Sequence, residues 1–223
     1  MITLVLDAST YVGTTAVLRD GVVLAEAEAT MRGRESEALM PAVVDGLSRA
    51  GVSVRDLSRV VCGAGPGSFT SLRIAASIAK GIAAAVGCPL YAVSSLALLA
   101  AGDGAPRPGR YLAALDALRG EAYVAGFLVE ASGEIVSIMP PSLVRQQDIR
   151  SIAQTLDATT VGPGEAIDRS PRARGAIALE SIIAASGPID LGSWEPSYGR
   201  NAEAQVRWET LHGQPLPLGG TST

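Results

Sequence analysis

The sequence predicts an α/β protein in which one arrangement of strands and helices occurs twice. Two short apolar runs lead to this prediction: residues 4–6 end in Asp7, and residues 113–115 end in Asp116. Each run is followed by two further strand-like segments and then by segments with helical spacing. Both halves therefore have the order βββα.

Local signals predict the elements of the first half. Residues 3–29 predict three strands, with Asp20-Gly21 as a two-residue turn because both positions tolerate a positive φ. A helix is predicted over residues 37–50 with Ser36 as N-cap, and Pro41 is expected to make its start irregular. The remaining predicted elements are a buried strand at 59–63, a long helix at about 68–86, a strand at 89–93 and a short helix that Ser94 caps.

The second half repeats the order after residues 102–109, which contain three glycines and two prolines. We expect this segment to be the hinge between an N-terminal lobe, residues 1–104, and a C-terminal lobe, residues 105–223. The duplication is typical of the architecture of actin, the sugar kinases and Hsp70; chance similarity of two apolar runs is the alternative. Predicted in this half are strands at 112–115, 121–129, 134–139 and 159–161, helices at 147–156, 176–185 and 201–211, and a flexible tail from about residue 213.

Composition excludes several classes of protein. Hydrophobic residues make up 48% of the chain and charged residues 18%, which is typical of a globular protein with a large core. The N-terminus lacks a basic region, so no signal peptide is predicted and the cytoplasm is the expected location. The long apolar stretch at residues 74–93 contains Lys80, Gly87 and Pro89, which favours a buried helix and strand over a membrane span.

The charge distribution argues against a nucleic-acid-binding surface on this chain. Residues 1–110 carry ten Lys/Arg and nine Asp/Glu, for +1, whereas residues 111–223 carry eight and thirteen, for −5. No basic stripe of the kind that binds phosphates is present in the sequence. If RNA is a substrate, another subunit is expected to supply most phosphate contacts.

No catalytic residue and no metal site are predicted. The chain has one histidine, His212, and two cysteines, Cys62 and Cys88, which lie 26 positions apart. A zinc or iron site would therefore depend on carboxylates alone. A Ser-His-Asp or Cys-His mechanism would depend on His212, which is expected to be a solvated residue near the C-terminus.

The glycine-rich loop at residues 63–67 is the most distinctive segment. A strand, a glycine-rich loop and a helix N-terminus can together hold an anion, because free N–H groups converge there. The loop is not a Walker A motif, since no Gly-Lys-Ser/Thr follows it. The structural alternative is a tight strand-to-helix turn in which Ser68 or Thr70 caps the helix and Phe69 fills the core.

Asp7, Ser9 and Thr10 follow the first strand, at the position where actin-like kinases bind phosphate and metal. An ATP-dependent small-molecule kinase would need Asp7 and Asp116 to face one cleft. The second half, however, lacks the glycine-rich adenosine-binding segments expected of such a kinase. A vestigial nucleotide site and a turn capped by a strand-end aspartate remain equal alternatives.

The helices at 37–50 and 68–86 are candidates for an interaction surface. The second one is apolar or small on most of its circumference, and small residues let another helix approach closely. One face must cover the sheet, so the excess predicts an intermolecular face. Burial beneath the other helix of the same chain is the alternative.

Several motifs resemble the TsaB (YeaZ) family. Residues 65–74, Gly-Pro-Gly-Ser-Phe-Thr-Ser-Leu-Arg-Ile, are similar to its signature, which usually has Gly at the position of Ser71. Glu35 stands where many members have His, so that position is not expected to be essential chemistry. Further similarity lies at residues 4–9, 79–81, 93–96, 115–117, 120–123 and 196–200.

The resemblance implies a two-lobed actin-like, ribonuclease H-like fold (duplicated βββαβα) with no catalysis of its own. It implies a subunit that binds and activates the catalytic subunit TsaD, works with the ATPase TsaE, and forms a homodimer when alone. The complex would transfer threonylcarbamoyl to adenosine 37 of tRNA, with tRNA bound only through the complex and ATP and metal held by partner subunits. The implied partner-binding positions are Leu39, Val43, Leu47, Leu72, Ala75 and Ala79, and the motif loop is Gly65, Pro66, Gly67, Ser68, Phe69, Thr70 and Arg73.

Overall fold

The computed structural model describes residues 1–31, 38–199 and 211–213. The first of two five-stranded sheets contains β1 (Ile2–Asp7), β2 (Val12–Arg19), β3 (Val22–Thr30), β4 (Arg59–Gly63) and β5 (Leu90–Val93). The second contains β6 (Gly109–Asp116), β7 (Glu121–Val129), β8 (Ile135–Arg145), β9 (Thr159–Gly162) and β10 (Ile167–Asp168).

The two sheets have the same topology. Their orders are β3-β2-β1-β4-β5 and β8-β7-β6-β9-β10. In each sheet the first three strands are antiparallel, and the last two are added in parallel. The duplication predicted from the two apolar runs is therefore confirmed, and β1 and β6 are the equivalent central strands.

Five helices lie among the described residues: α1 (Leu39–Arg49), α2 (Phe69–Val86), α3 (Ser95–Ala101), α4 (Ile149–Leu156) and α5 (Glu180–Ser186). Short 3₁₀ helices cover Val54–Asp56, Gln146–Asp148 and Ala173–Leu179. Helices α1 and α2 pack on the outer face of the first sheet, and α4 packs on the outer face of the second. Helix α3 lies between the sheets, with every residue buried.

Strand alternation produces these separate cores. On β1, Leu4 and Leu6 face α1 and α2, whereas Val5 faces the core between the sheets. Successive strand residues point to opposite faces, so a continuous apolar run is needed where both faces are covered. This requirement explains the run at residues 4–6.

The turn at Asp20-Gly21 and the cap at Ser94 act as expected, whereas the N-cap position of α1 is Ala38, which makes no side-chain cap hydrogen bond. Asp20 and Gly21 have φ of 51° and 79°, as a two-residue hairpin turn requires. Helix α2 ends at Gly87 in the left-handed conformation, and the Ser94 side chain accepts a hydrogen bond from the Ala97 N–H. Pro41 lies in the first turn of α1, where its missing N–H costs no helical hydrogen bond, and the predicted cap Ser36 lies outside the described residues.

Three elements differ from the prediction. Strand β8 continues to residue 145 and includes Pro140 and Pro141. It tolerates both prolines because it is an edge strand, which needs N–H donors on one side only. The helix predicted at 176–185 is divided into a 3₁₀ helix and α5, and the two-residue β10 was not predicted. Most of the helix predicted at 201–211 falls outside the described residues.

Helix α2 has the length and apolarity of a membrane span, with a mean hydropathy of 1.3 over 18 residues. A buried helix of a protein core satisfies the same criterion. Its side chains Ala75, Ala79 and Ile82 pack into the core beneath α2, together with residues of β1 and β4. We therefore interpret α2 as a core helix.

After α5 the chain returns to the first sheet. Glu180 on α5 accepts from the Arg59 guanidinium of β4 through both carboxylate oxygens. The Ile189 N–H donates to the Leu90 carbonyl, 2.8 Å away. Residues 180–199 thus follow the second sheet in sequence but lie against the first, which brings their end to the glycine-rich loop.

Candidate functional site

Asp7 ends β1 as a buried carboxylate, with a relative exposure of 1%. One oxygen accepts from the Ser9 N–H at 3.0 Å and from the Ser9 hydroxyl at 2.8 Å. The other oxygen accepts from the Ser95 hydroxyl at 2.5 Å and lies so close to Gly63 that a Cβ there would approach it to 2.0 Å. Both oxygens are therefore enclosed by this chain.

Burial raises the pKa of Asp7, and the hydrogen bonds from Ser95 and Ser9 partly offset that rise. Burial also raises the pKa of the neighbouring Cys62 thiol, and the charge of Asp7 adds to the effect. The Cys62 side chain is therefore a thiol at neutral pH, as expected of a small buried hydrophobe.

Asp7 organises both ends of the motif loop. The Ser95 hydroxyl that donates to Asp7 also accepts from the Gly65 N–H at 3.1 Å, and the Ser95 N–H donates to the Gly65 carbonyl. The Ser9 carbonyl accepts from the Ser68 N–H at 2.8 Å. The loop therefore packs on its own chain through these bonds, with a cis peptide between Gly65 and Pro66.

The start of α2 is aromatic and cationic. The Phe69 ring lies 4.4 Å from the Tyr198 ring, and the Arg73 guanidinium lies 4.7 Å from the Phe69 ring. In the structural alternative Phe69 would fill the core, but the side chain is half-buried and packs against Tyr198 and Arg73. Ser68 occupies the N-cap position, but its hydroxyl pairs with Ser71, at the position where the family usually has Gly, and caps no N–H.

Thr10 and Asp116 have different environments from Asp7. The Thr10 hydroxyl donates to the Val12 carbonyl and accepts from the Val12 N–H, forming a local turn. Asp116 is exposed and accepts from the Leu118 N–H at 2.8 Å. The two strand-end aspartates are thus one enclosed carboxylate and one turn-capping carboxylate at the surface, which does not match a shared metal-binding cleft.

The predicted partner-binding residues need correction. All six are on the buried faces of α1 and α2, with relative exposures of 0–8%: Leu39, Val43, Leu47, Leu72, Ala75 and Ala79. The helical spacing identified the face that covers the sheet, so burial within the same chain, the alternative, applies to these side chains.

A second apolar face of α1 and α2 points outward. Met40 and Val44 are exposed four residues apart on α1, with Val44 at 55%. On α2, Ile74 and Ile78 are half-buried, and Gly81, one turn further on, is exposed. Among residues 1–31, 38–199 and 211–213, no neighbouring segment comes within 4 Å of a Cβ built on Gly81. The sequence predicted a second face on these helices, but the residues assigned to it were those of the sheet-facing stripe, and Met40 and Val44 were not among them.

Metal-ligating side chains do not cluster in the part of the chain that the structure describes. Over residues 1–31, 38–199 and 211–213 there is no group of three or more His, Cys, Asp or Glu that could hold a metal ion. The histidine His212 is exposed. The arrangement of the described site residues is suited to packing and hydrogen bonding.

Comparison with known proteins identifies relatives. The model of the family "TsaD: tRNA N6-adenosine threonylcarbamoyltransferase" matches residues 24–168. The tRNA threonylcarbamoyladenosine biosynthesis protein TsaB of Bacillus subtilis is 30% identical over 93% of this chain and 98% of its own length. The TsaB of Escherichia coli is 34% identical over 65% of this chain, a match that spans 64% of that protein.

Solved structures agree with these relatives. YeaZ from Pseudomonas aeruginosa superposes with a TM-score of 0.74 and 26% identity, covering 88% of this chain and 99% of that one. A crystal structure of a protein described as similar to the peptidase YeaZ from the same organism gives a TM-score of 0.72 at 25% identity, covering 89% and 99%. The two-lobed actin-like fold expected from the sequence is thereby confirmed.

Proposed function

This chain belongs to the TsaB (YeaZ) family of tRNA threonylcarbamoyladenosine biosynthesis proteins, and from that premise we propose that it is a non-catalytic subunit that binds and activates a TsaD-like catalytic subunit. The catalytic subunit would transfer threonylcarbamoyl to N6 of the tRNA adenosine. It would hold the metal, and a TsaE-like ATPase would hold ATP. The proposed complex works in the cytoplasm, and tRNA binds to it rather than to this chain alone.

The outward face of α1 and α2 is the observation that carries this proposal. It combines exposed Met40 and Val44 with Gly81, above which no described residue fills the space. Apolar residues around a small residue allow a second helix to pack at short interaxial distance. Since the partner family matches this chain over residues 24–168, a partner with the same helices could present a similar face.

The strand-end aspartate supports a role without chemistry of its own. A kinase of this fold would need the Asp7 carboxylate to reach a metal–nucleotide complex, but Ser9, Ser95 and Gly63 enclose it. We therefore rank the ATP-dependent small-molecule kinase below the accessory subunit. A peptidase would have only the exposed His212 as an imidazole base.

Reconstitution tests the proposal. The assay contains the cognate TsaD-like and TsaE-like proteins, ATP, tRNA and the threonylcarbamoyl-adenylate source, with and without this chain. We expect modified adenosine only when this chain and the TsaD-like protein are both present, and none from this chain with tRNA. Equal product without this chain would refute the accessory role.

A matched pair of variants tests the surface. Val44→Glu places a charge in the centre of the proposed interface, and Val22→Glu places it at the start of β3, where the side chain is also exposed. Burying an unpaired carboxylate is costly, so Val44→Glu should weaken the complex on the order of tenfold or more. Val22→Glu should leave co-elution with the TsaD-like protein unchanged; equal behaviour of the two variants would place the interface elsewhere.

A further inference from the structure

The carboxyl ends of β4 and β6 mark the crevice between the two lobes. Ligands of α/β proteins bind outside the carboxyl ends of parallel strands, because loops with free backbone groups meet there. In this chain β4 leads into the motif loop, and Tyr123 pairs with Leu115 near the end of β6. Residues 196–199 lie between these two points.

Contacts with the first lobe are made by the backbone. The Ser197 N–H donates to the Ala64 carbonyl at 2.8 Å. The Ser197 carbonyl oxygen is so close to Gly65 that a Cβ on that glycine would lie 2.4 Å from it. The Tyr198 side chain adds a contact, because its ring packs at a tilt of 49° against Phe69, the first residue of α2.

Contacts with the second lobe are equally close. The Tyr123 hydroxyl donates to the Tyr198 carbonyl at 3.2 Å. Gly199 has φ of 70°, and a Cβ there would lie 2.3 Å from a carbon of the Tyr123 ring. The segment therefore touches the motif loop on one side and the second sheet on the other.

We propose that residues 196–199 form a strap that occupies the crevice in place of a ligand and holds the motif loop in one conformation. The strap joins the lobes through contacts that a bound small molecule would otherwise make. A nucleoside triphosphate with its metal is excluded from the crevice while the strap is seated. The start of α2 takes its conformation from the Tyr198 stack.

Amide hydrogen exchange tests the strap in the full chain. Gly199→Ala introduces a methyl group against Tyr123, whereas Gly187, at the end of α5, has a similar φ of 68° and its added methyl group would meet no described residue within 4 Å. Both variants place alanine at a positive φ, and among the described residues only the Gly199→Ala methyl group clashes with a neighbour. We expect exchange in residues 63–72 to be roughly tenfold faster in Gly199→Ala and unchanged in Gly187→Ala. An unchanged exchange rate of residues 63–72 in Gly199→Ala, or an equal increase of that rate in Gly187→Ala, would overturn the proposal.

A second pair keeps the test decisive if Gly199→Ala does not fold. Tyr198→Ala removes the stack on Phe69, and Tyr198→Phe retains the ring. Exchange in the motif loop should rise roughly three- to tenfold in the alanine variant, the factor that an aromatic pair supplies, and should return to the wild-type rate in the phenylalanine variant. Equal rates in all three chains would overturn the proposal, and so would protection of residues 63–72 by Mg·ATP in the wild type.

Discussion

Replacing Gly81 with alanine is expected to stabilise the folded chain while weakening its association with a TsaD-like partner. Gly81 lies inside α2 and is exposed, and in the part of the chain that the structure describes no neighbouring segment lies within 4 Å of a Cβ at this position. A glycine in a helix interior is less favourable than alanine because it loses more backbone entropy on folding. The methyl group therefore improves the helix without a clash.

The magnitude follows from the helix alone. The alanine variant should gain about 0.5–1 kcal/mol of unfolding free energy, which raises Tm by roughly 1–4 °C for a chain of this size. At a close helix contact the same methyl group must displace the partner. Gly81→Leu should weaken the complex on the order of tenfold or more, because packing helices leave little space at a small residue.

Two measurements check this prediction. Thermal unfolding is followed at two concentrations of the chain, since homodimerisation through the same face would itself raise the apparent stability. Affinity for the TsaD-like protein is measured for Gly81→Ala, Gly81→Leu and a control, Gln154→Leu, which adds the same side chain at an exposed position of α4. A lower Tm for Gly81→Ala would refute the inference that the space above α2 at this position is open. Unchanged affinity for Gly81→Leu would refute the partner face.

Three further predictions concern the strand ends. Gly63→Ala should destabilise the chain by about 3 kcal/mol, because its Cβ would lie 2.0 Å from the buried Asp7 carboxylate. Gly81→Ala should have the opposite effect. Urea unfolding measures both variants, and a change of the same sign in their unfolding free energies would contradict the geometry. Because burial raises the pKa of Asp7 above its unfolded value, the wild type should lose stability as pH rises from about 4 through that raised pKa. Asp7→Asn should lack this loss, and parallel pH curves of the two chains would refute the assignment. A thiol reagent at neutral pH should modify Cys88 in the native chain and Cys62 only after unfolding, since Cys62 is buried and its pKa is raised. Mass spectrometry of native and unfolded samples measures the labelling of each cysteine. Rapid labelling of Cys62 in the native chain would count against a rigid core.

Much of the fold was predictable because its signals are local. The Asp20-Gly21 turn and the Ser94 cap each act within a few residues, and the structure confirms both. The repeated apolar runs ending in Asp7 and Asp116 identified the duplicated halves, because a central strand covered on both faces must be apolar throughout. Strand β8 was predicted too short. Its prolines are tolerated because β8 lies at the edge of the sheet, and edge position is defined only by the assembled sheet.

The candidate site divides in the same way. The sequence of residues 65–74 identified the motif loop, but its contacts with Ser95 and Ser197 join positions far apart in the chain. Helical spacing identified Leu39 and Val43 as one face of α1 without stating what covers that face. The structure assigns them to the sheet and leaves Met40 and Val44 outward.

The sequence by itself determined the family, the duplicated α/β architecture and the absence of paired histidines, since each depends on residue identity and short-range order. Only the tertiary structure decided that Asp7 is enclosed, that the predicted partner residues are core, and that residues 196–199 return to the crevice. Burial and close approach depend on which distant segments meet. No local pattern of apolar and polar residues carries that information, because the same apolar stripe packs equally well on a sheet or on a partner.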